Sequence, residues 1–105
     1  MGFRIEHSEQ SSDDLDAIIR YINDDLCNPQ AAERFFNEVL RKTEKLKENP
    51  YMFPIYHDKK LAALGYRFAV IGNYLLFYVI NESSSTVSII RIVYGKRDIP
   101  TVLKR

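Results

Sequence analysis

Few side chains of this 105-residue chain have the type and placement to do chemistry, and the foremost are cationic. Arg67 opens an apolar run, Tyr66 to Ile71. Lys96 and Arg97 follow a second run, Ile89 to Tyr94, with only Gly95 between. Guanidinium groups placed at a strand end can grip a carboxylate or a phosphate in fork geometry. A phenol beside them, such as Tyr94, could donate a proton in RNA cleavage or stack on a base. The plainer reading of Lys96-Arg97-Asp98 is a solvated strand exit with a local ion pair, worth little in stability.

The other reactive side chains point nowhere in particular. Cys27 lies between a helix end and Asn28-Pro29 with no histidine near it in sequence, so it reads as an incidental thiol. His7, at a strand position facing the same way as Phe3 and Ile5, reads as packed. His57, beside Asp58 in a polar loop, is a free acid–base candidate but reads first as solvated. A single cysteine excludes an intrachain disulfide, and two distant histidines give no metal-ligand spacing. Phosphate-binding glycine loops, a nucleophile elbow and HExxH are all lacking, so no cofactor and no metal is expected.

The elements that must position these residues are legible from periodicity. Phe3, Ile5 and His7 alternate with Arg4 and Glu6 as in a short strand. Ser11 and Ser12 precede Asp13 and Asp14, a helix start with acids in the first turn. Leu15, Ile18, Ile19, Ile22 and Leu26 then mark one apolar stripe. Asn28-Pro29 signals a second helix, whose stripe is Ala32, Phe35, Phe36, Val39, Leu40, Thr43 and Leu46, ended by Asn49-Pro50. A short connection makes the pair a helical hairpin.

Residues 50–65 read as a loop with Tyr51, Met52 and Phe53 tucked beneath it. Tyr66 to Ile71, Tyr74 to Ile80 and Thr86 to Tyr94 read as a three-strand meander, its first turn Gly72-Asn73 and its central strand the most apolar. The order β-α-α-β-β-β predicts an α+β domain over 1–105, a helical hairpin on one face of a small antiparallel sheet. The other face is expected to be free for binding.

The composition, 46% hydrophobic and 28% charged, is that of an ordinary globular domain. No apolar run approaches the roughly 20 residues of a membrane span, and the N-terminal residues lack a signal peptide's apolar core. A cytoplasmic protein with no membrane partner is therefore expected. Charge is unevenly divided: residues 1–33 carry two bases against eight acids, and residues 34–105 thirteen bases against six acids. The basic part should attract a polyanion or an acidic protein.

The chain also resembles the RelE/ParE superfamily of toxins from type II toxin–antitoxin pairs. The resemblance is carried by Asp14-Leu15-Asp16-Ala17-Ile18-Ile19-Arg20-Tyr21-Ile22, by Asn49-Pro50, by Gly72-Asn73-Tyr74-Leu75-Leu76-Phe77-Tyr78, and above all by Ile89 through Pro100. It implies the same hairpin-on-sheet fold and a cognate antitoxin as partner. RelE-like members are ribosome-dependent mRNA endonucleases with basic groups and often a tyrosine around the scissile phosphate. Against that pattern Arg67 and Arg97 fall on basic positions. Ala69 and Leu75 stand where a lysine and an arginine are common, and Leu103 where a C-terminal tyrosine is. Tyr94 would have to substitute in a rearranged site.

The hairpin, "GNYLLFYVI" and "YGKRDIP" look more like the ParE branch, whose members poison DNA gyrase by protein–protein contact. The resemblance thus implies a gyrase inhibitor with Arg67, Tyr94, Lys96 and Arg97 as target-binding residues. The alternatives are a ribonuclease acting on ribosome-bound mRNA through Arg67, Tyr94 and Arg97, and a non-toxic relative that only binds an antitoxin.

Overall fold

The computed structural model describes residues 2–103. Strand β1 spans Arg4–His7 and leads straight into helix α1, Glu9–Arg20. The cap is Ser8, whose hydroxyl accepts the Ser11 N–H at 3.0 Å. The helix therefore starts one turn before the serine pair expected to cap it, and Asp13 and Asp14 fall in its second turn. From Tyr21 to Asp25 the helix widens into a π-helical turn, the Leu26 N–H reaching back to the Tyr21 carbonyl at 3.0 Å. Leu26 ends that turn at 54% exposure and does not continue the buried stripe.

Helix α2, Pro29–Glu48, begins as the sequence predicts: the Asn28 side chain accepts the Ala31 N–H, and Pro29 needs no donor there. Its buried stripe is Ala32, Phe35, Val39, Thr43 and Leu46. Phe36 and Leu40, expected on the same stripe, are 42% and 50% exposed. Each sits one residue past a buried position, hence about 100° around the helix. Within the expected loop lies a short helix α3, Lys59–Ala63, capped by Asp58. Tyr51 and Met52 are exposed, and only Phe53 packs on the core.

Strands β2 (Arg67–Ile71), β3 (Tyr74–Asn81) and β4 (Thr86–Tyr94) form the antiparallel meander, and α4 (Ile99–Leu103) closes the described chain. The sheet order is β1-β4-β3-β2, with β3 inside as its apolar character requires. The meander is antiparallel as expected, whereas β1 joins that sheet in parallel, pairing with β4 from Arg4 against Thr86 to His7 against Ile89. The intervening helical hairpin supplies the long crossover that a parallel pair needs.

Two apolar clusters lie on the two sheet faces. The larger joins Ile18, Phe35, Val39 and Leu46 of the hairpin to Ile71, Leu76, Tyr78, Val87, Ile89 and Ile92. The smaller joins Phe77 and Val93 to Tyr56, Leu61, Ile99 and Leu103, roofed by α3 and α4. The second face, expected to be free, is thus covered.

A bulge in β4 makes both clusters possible. Phe77 faces Arg91 while Tyr78 faces Ile89, so Ile90 is an extra, unpaired residue. Without it Arg91 would fall on the same face as Ile89, inside the main core. With it Ile89 and Ile92 both serve that core.

Candidate functional site

The exit of β4 is built by close backbone approach. The Gly95 N–H donates to the Asn73 carbonyl at 2.8 Å, and the Arg97 N–H to the Tyr94 carbonyl at 3.0 Å. A Cβ on Gly95 would stand 3.2 Å from the Asn73 oxygen, so a side chain there would crowd the β2–β3 turn. Lys96 and Arg97 lie in this tight turn and are exposed. Among the described residues neither enters a salt bridge. Asp98 accepts instead from the Thr101 hydroxyl at 2.8 Å, at the start of α4. The local ion pair of the plainer reading is therefore not formed, and among the described residues neither cation is neutralised.

Tyr94 is 41% exposed and meets the Tyr74 ring edge-on, 5.7 Å between centroids. Tyr74 in turn meets Phe35 of α2 at 5.3 Å. Burial, then the nearby phenols of Tyr21 and Tyr94, push the Tyr74 pKa above its ordinary value. Tyr21, on the π-helical turn, is 46% exposed. No sequence signal singled it out, because nothing in a helical stripe announces a π turn.

Arg67 is not brought to this group. It lies at the opposite end of β2 from Ile71, whose partner Tyr74 neighbours Tyr94. Four residues of strand separate the two ends by about 13 Å. Its guanidinium donates to the Phe53 carbonyl at 2.7 Å and to Tyr51 O at 3.4 Å, and lies 5.2 Å over the Tyr51 ring. Arg67 is a clamp on the 50–56 loop. Beside it Tyr78, fully buried, donates its hydroxyl to Pro50 O at 2.7 Å. Burial pushes the Tyr78 phenol up to about 12, outweighing the lowering effects of the Arg67 charge and the Phe53 backbone.

His7 is exposed rather than packed, though partial burial still lowers its pKa. His57 is exposed, its ring 4.3 Å from that of Tyr56. Cys27 is exposed with φ 52°, a left-handed residue in the hairpin turn. Among the described residues no His, Cys, Asp and Glu converge as metal ligands.

The most elaborate polar contact joins Asp14 and Arg91, 77 residues apart. Arg91 donates from Nε at 2.7 Å and from Nη2 at 3.1 Å, and the Ile92 N–H adds a third bond at 2.9 Å. The bonds from Asp14 hold the Arg91 pKa above its ordinary value. Among the described residues no strand pairs with β4 on that side beyond His7. The Asp14 carboxylate and Ser8, whose hydroxyl donates to Ile90 O at 2.8 Å, take the place of the missing strand. The hint in the sequence was Arg91 itself, a charge inside a run read as buried, which needs a partner.

The fold is α+β, a helical hairpin on one sheet face and two short helices on the other, with a basic strand exit that carries Tyr94, and it can be compared with known proteins. Residues 5–99 match the family described as ParE toxin of type II toxin-antitoxin system, parDE. The chain belongs to this family, within the RelE/ParE superfamily, and is a type II toxin–antitoxin toxin.

The fold is that of several solved structures. One is the chromosomal ParDE system of P. aeruginosa, at 15% identity and TM-score 0.70, covering 90% of this chain and 97% of that one. The RelBE2 toxin–antitoxin complex of Mycobacterium tuberculosis gives 20% identity and TM-score 0.64, covering 90% and 99%. The archaeal RelE–RelB complex of Pyrococcus horikoshii OT3 gives 18% and 0.58, covering 92% and 99%. No curated protein matches in sequence.

Proposed function

We propose that this toxin acts by protein–protein contact on DNA gyrase, through the β4 exit, and is neutralised by a cognate antitoxin. One observation carries the choice of target. Of the three positions where the superfamily's ribonucleases carry polar groups, Ala69 and Leu103 are 1% and 3% exposed, and Leu75 packs on the second apolar cluster. In this chain all three positions serve packing and supply no polar group to a scissile phosphate. Arg67, a further member of the ribonuclease set, is occupied with loop carbonyls.

The antitoxin reading is supported by the complexes that share the fold and by the outer face of the hairpin. There Phe36, with Leu15 and Ile19, lines a shallow depression of about 360 Å³, and Leu40 is half exposed nearby on α2. An amphipathic segment that folds on binding suits such a surface. The covered second sheet face does not.

The test is purified protein in a gyrase supercoiling assay without ribosomes, run beside an mRNA cleavage assay with translating ribosomes. Inhibition of supercoiling, weakened in Arg97→Ala, is expected. Cleavage that needs ribosomes and falls in Tyr94→Phe would replace this reading with the ribonuclease one.

A further inference from the structure

We propose that the chain associates with itself head to tail, the tip of the helical hairpin, Asp24-Asp25-Leu26, entering a groove between α3 and α4 of a second copy. The contact does not involve the β4 exit and rests on neither reading of the target. The groove measures about 620 Å³ and has an apolar lining of Leu61, Leu64, Tyr66, Pro100 and Leu103. Leu64 is 67% exposed, more than any other large apolar side chain among the described residues. Lys59 and Lys60 also line the groove; both are exposed and, among the described residues, outside any salt bridge. Asp58, the acid of that lining, is engaged as the cap of α3, accepting the Leu61 N–H at 3.1 Å. The complement of such a groove is an apolar side chain with carboxylates beside it.

The chain carries that combination itself. Leu26, at 54%, is next in exposure after Leu64, and it directly follows Asp24 and Asp25 at the end of the π-helical turn. Its N–H bonds back to the Tyr21 carbonyl and Cys27 turns away with φ 52°, so the leucine stands at the corner between the two helices. Neither aspartate enters a salt bridge among the described residues. Arg20 is the one base between Ser8 and Pro29, against six acids: Glu9, Asp13, Asp14, Asp16, Asp24 and Asp25. The uneven division of charge along the chain thus has a use, with the acidic segment of one copy meeting a basic groove of the next. The two most exposed large apolar side chains would cover each other in the same contact.

The tip cannot fill its own groove. Glu9, the first residue of α1, lines a cavity that shares Tyr66 and Leu103 with the groove. Leu26 lies seventeen residues further along the helix, about 25 Å away. Each copy that inserts its tip therefore leaves its own groove open for the next, a heterologous contact that extends instead of closing. So few side chains make a weak contact, one that forms at high concentration and low salt.

The experiment is sedimentation of the purified chain from about 10 µM to about 1 mM, the range in which weak contacts are half formed. Wild type is compared with Leu26→Asp, with Leu64→Asp and with the double variant Lys59→Glu, Lys60→Glu, each of them also melted. The mean mass of wild type should rise with concentration and fall back as salt is added. Association should weaken at least about tenfold in every variant, with melting temperatures unchanged because the substituted side chains are exposed. Leu26→Asp mixed with Leu64→Asp should recover the wild-type affinity yet stop at a dimer, since one brings an intact groove and the other an intact tip. A wild-type chain that is monomeric at the highest concentration would overturn the proposal. If decanoate then shifts the amide signals of Leu61 and Leu64, the groove belongs to a small carboxylate instead. Folded Leu26→Asp and Leu64→Asp that associate as wild type does, or a mixture of them no more associated than either alone, would overturn it as well.

Discussion

Asp14→Ala isolates what the carboxylate on α1 does for the sheet. The substitution removes the acceptor of three hydrogen bonds at once, two from Arg91 and one from the Ile92 N–H. An orphaned backbone donor costs about 1–3 kcal/mol. Breaking a buried pair by removing one partner costs about 3–5 kcal/mol, because a charge is left without compensation. The Arg91 side chain keeps 20% of its exposure and the Asp14 side chain 16%, so water screens part of that penalty. About 3 kcal/mol in all is expected, a large fraction of the roughly 5–15 kcal/mol that holds a domain folded.

Near the melting point this corresponds to a fall of about 12–24 °C for a domain of this size. Calorimetry should rank the variants: Asp14→Ala lowest, Asp14→Asn above it because the amide oxygen still accepts the Ile92 N–H, and Arg91→Met close to Asp14→Asn. The double variant Asp14→Ala with Arg91→Met should melt above Asp14→Ala alone, since no cation is stranded. A single Asp14→Ala within about 4 °C of wild type, or a double variant below the single one, would refute the edge-capping argument.

Phe35→Ala should cost about 3–5 kcal/mol, whereas Phe36→Ala and Leu40→Ala should cost under about 1 kcal/mol yet weaken antitoxin binding, as paired melts and calorimetric titrations would show. High pH should unfold the protein through Tyr78. The folded pKa is raised from 10.0 to about 12, so the protonated phenol's contribution is complete below pH 10 and is lost as pH climbs through 12. That is about 2–3 kcal/mol. Tyr78→Phe should flatten this loss, leaving a residual slope from Tyr56 and Tyr74, both raised first by burial. Arg67→Met should loosen the 50–56 loop, read as faster amide exchange there, while gyrase inhibition falls far less than in Arg97→Ala.

Several features were already determined by the sequence because they are local. Asn28-Pro29 starts a helix wherever it stands before an apolar stripe, since an amide oxygen and a missing N–H suit the first turn. Gly72-Asn73 turns a hairpin, and the apolar Tyr74 to Ile80 run could only be an inner strand. The type and order of the main elements followed from such signals, and the position of the Tyr94-to-Arg97 exit followed with them. Tertiary structure decided what depends on which face meets which neighbour. A stripe with both Phe35 and Phe36 in it does not say which one faces the sheet. Ile89-Ile90-Arg91-Ile92 conceals a bulge, because the pattern alone cannot show where one strand gains a residue on the other. Arg67 and Arg97 look alike in sequence, yet one is taken up by carbonyls of a loop that folds over it, and the other is exposed where β4 must turn away, outside any salt bridge among the described residues. The helix widens by one residue per turn from Tyr21 to Asp25, a departure that no local propensity encodes.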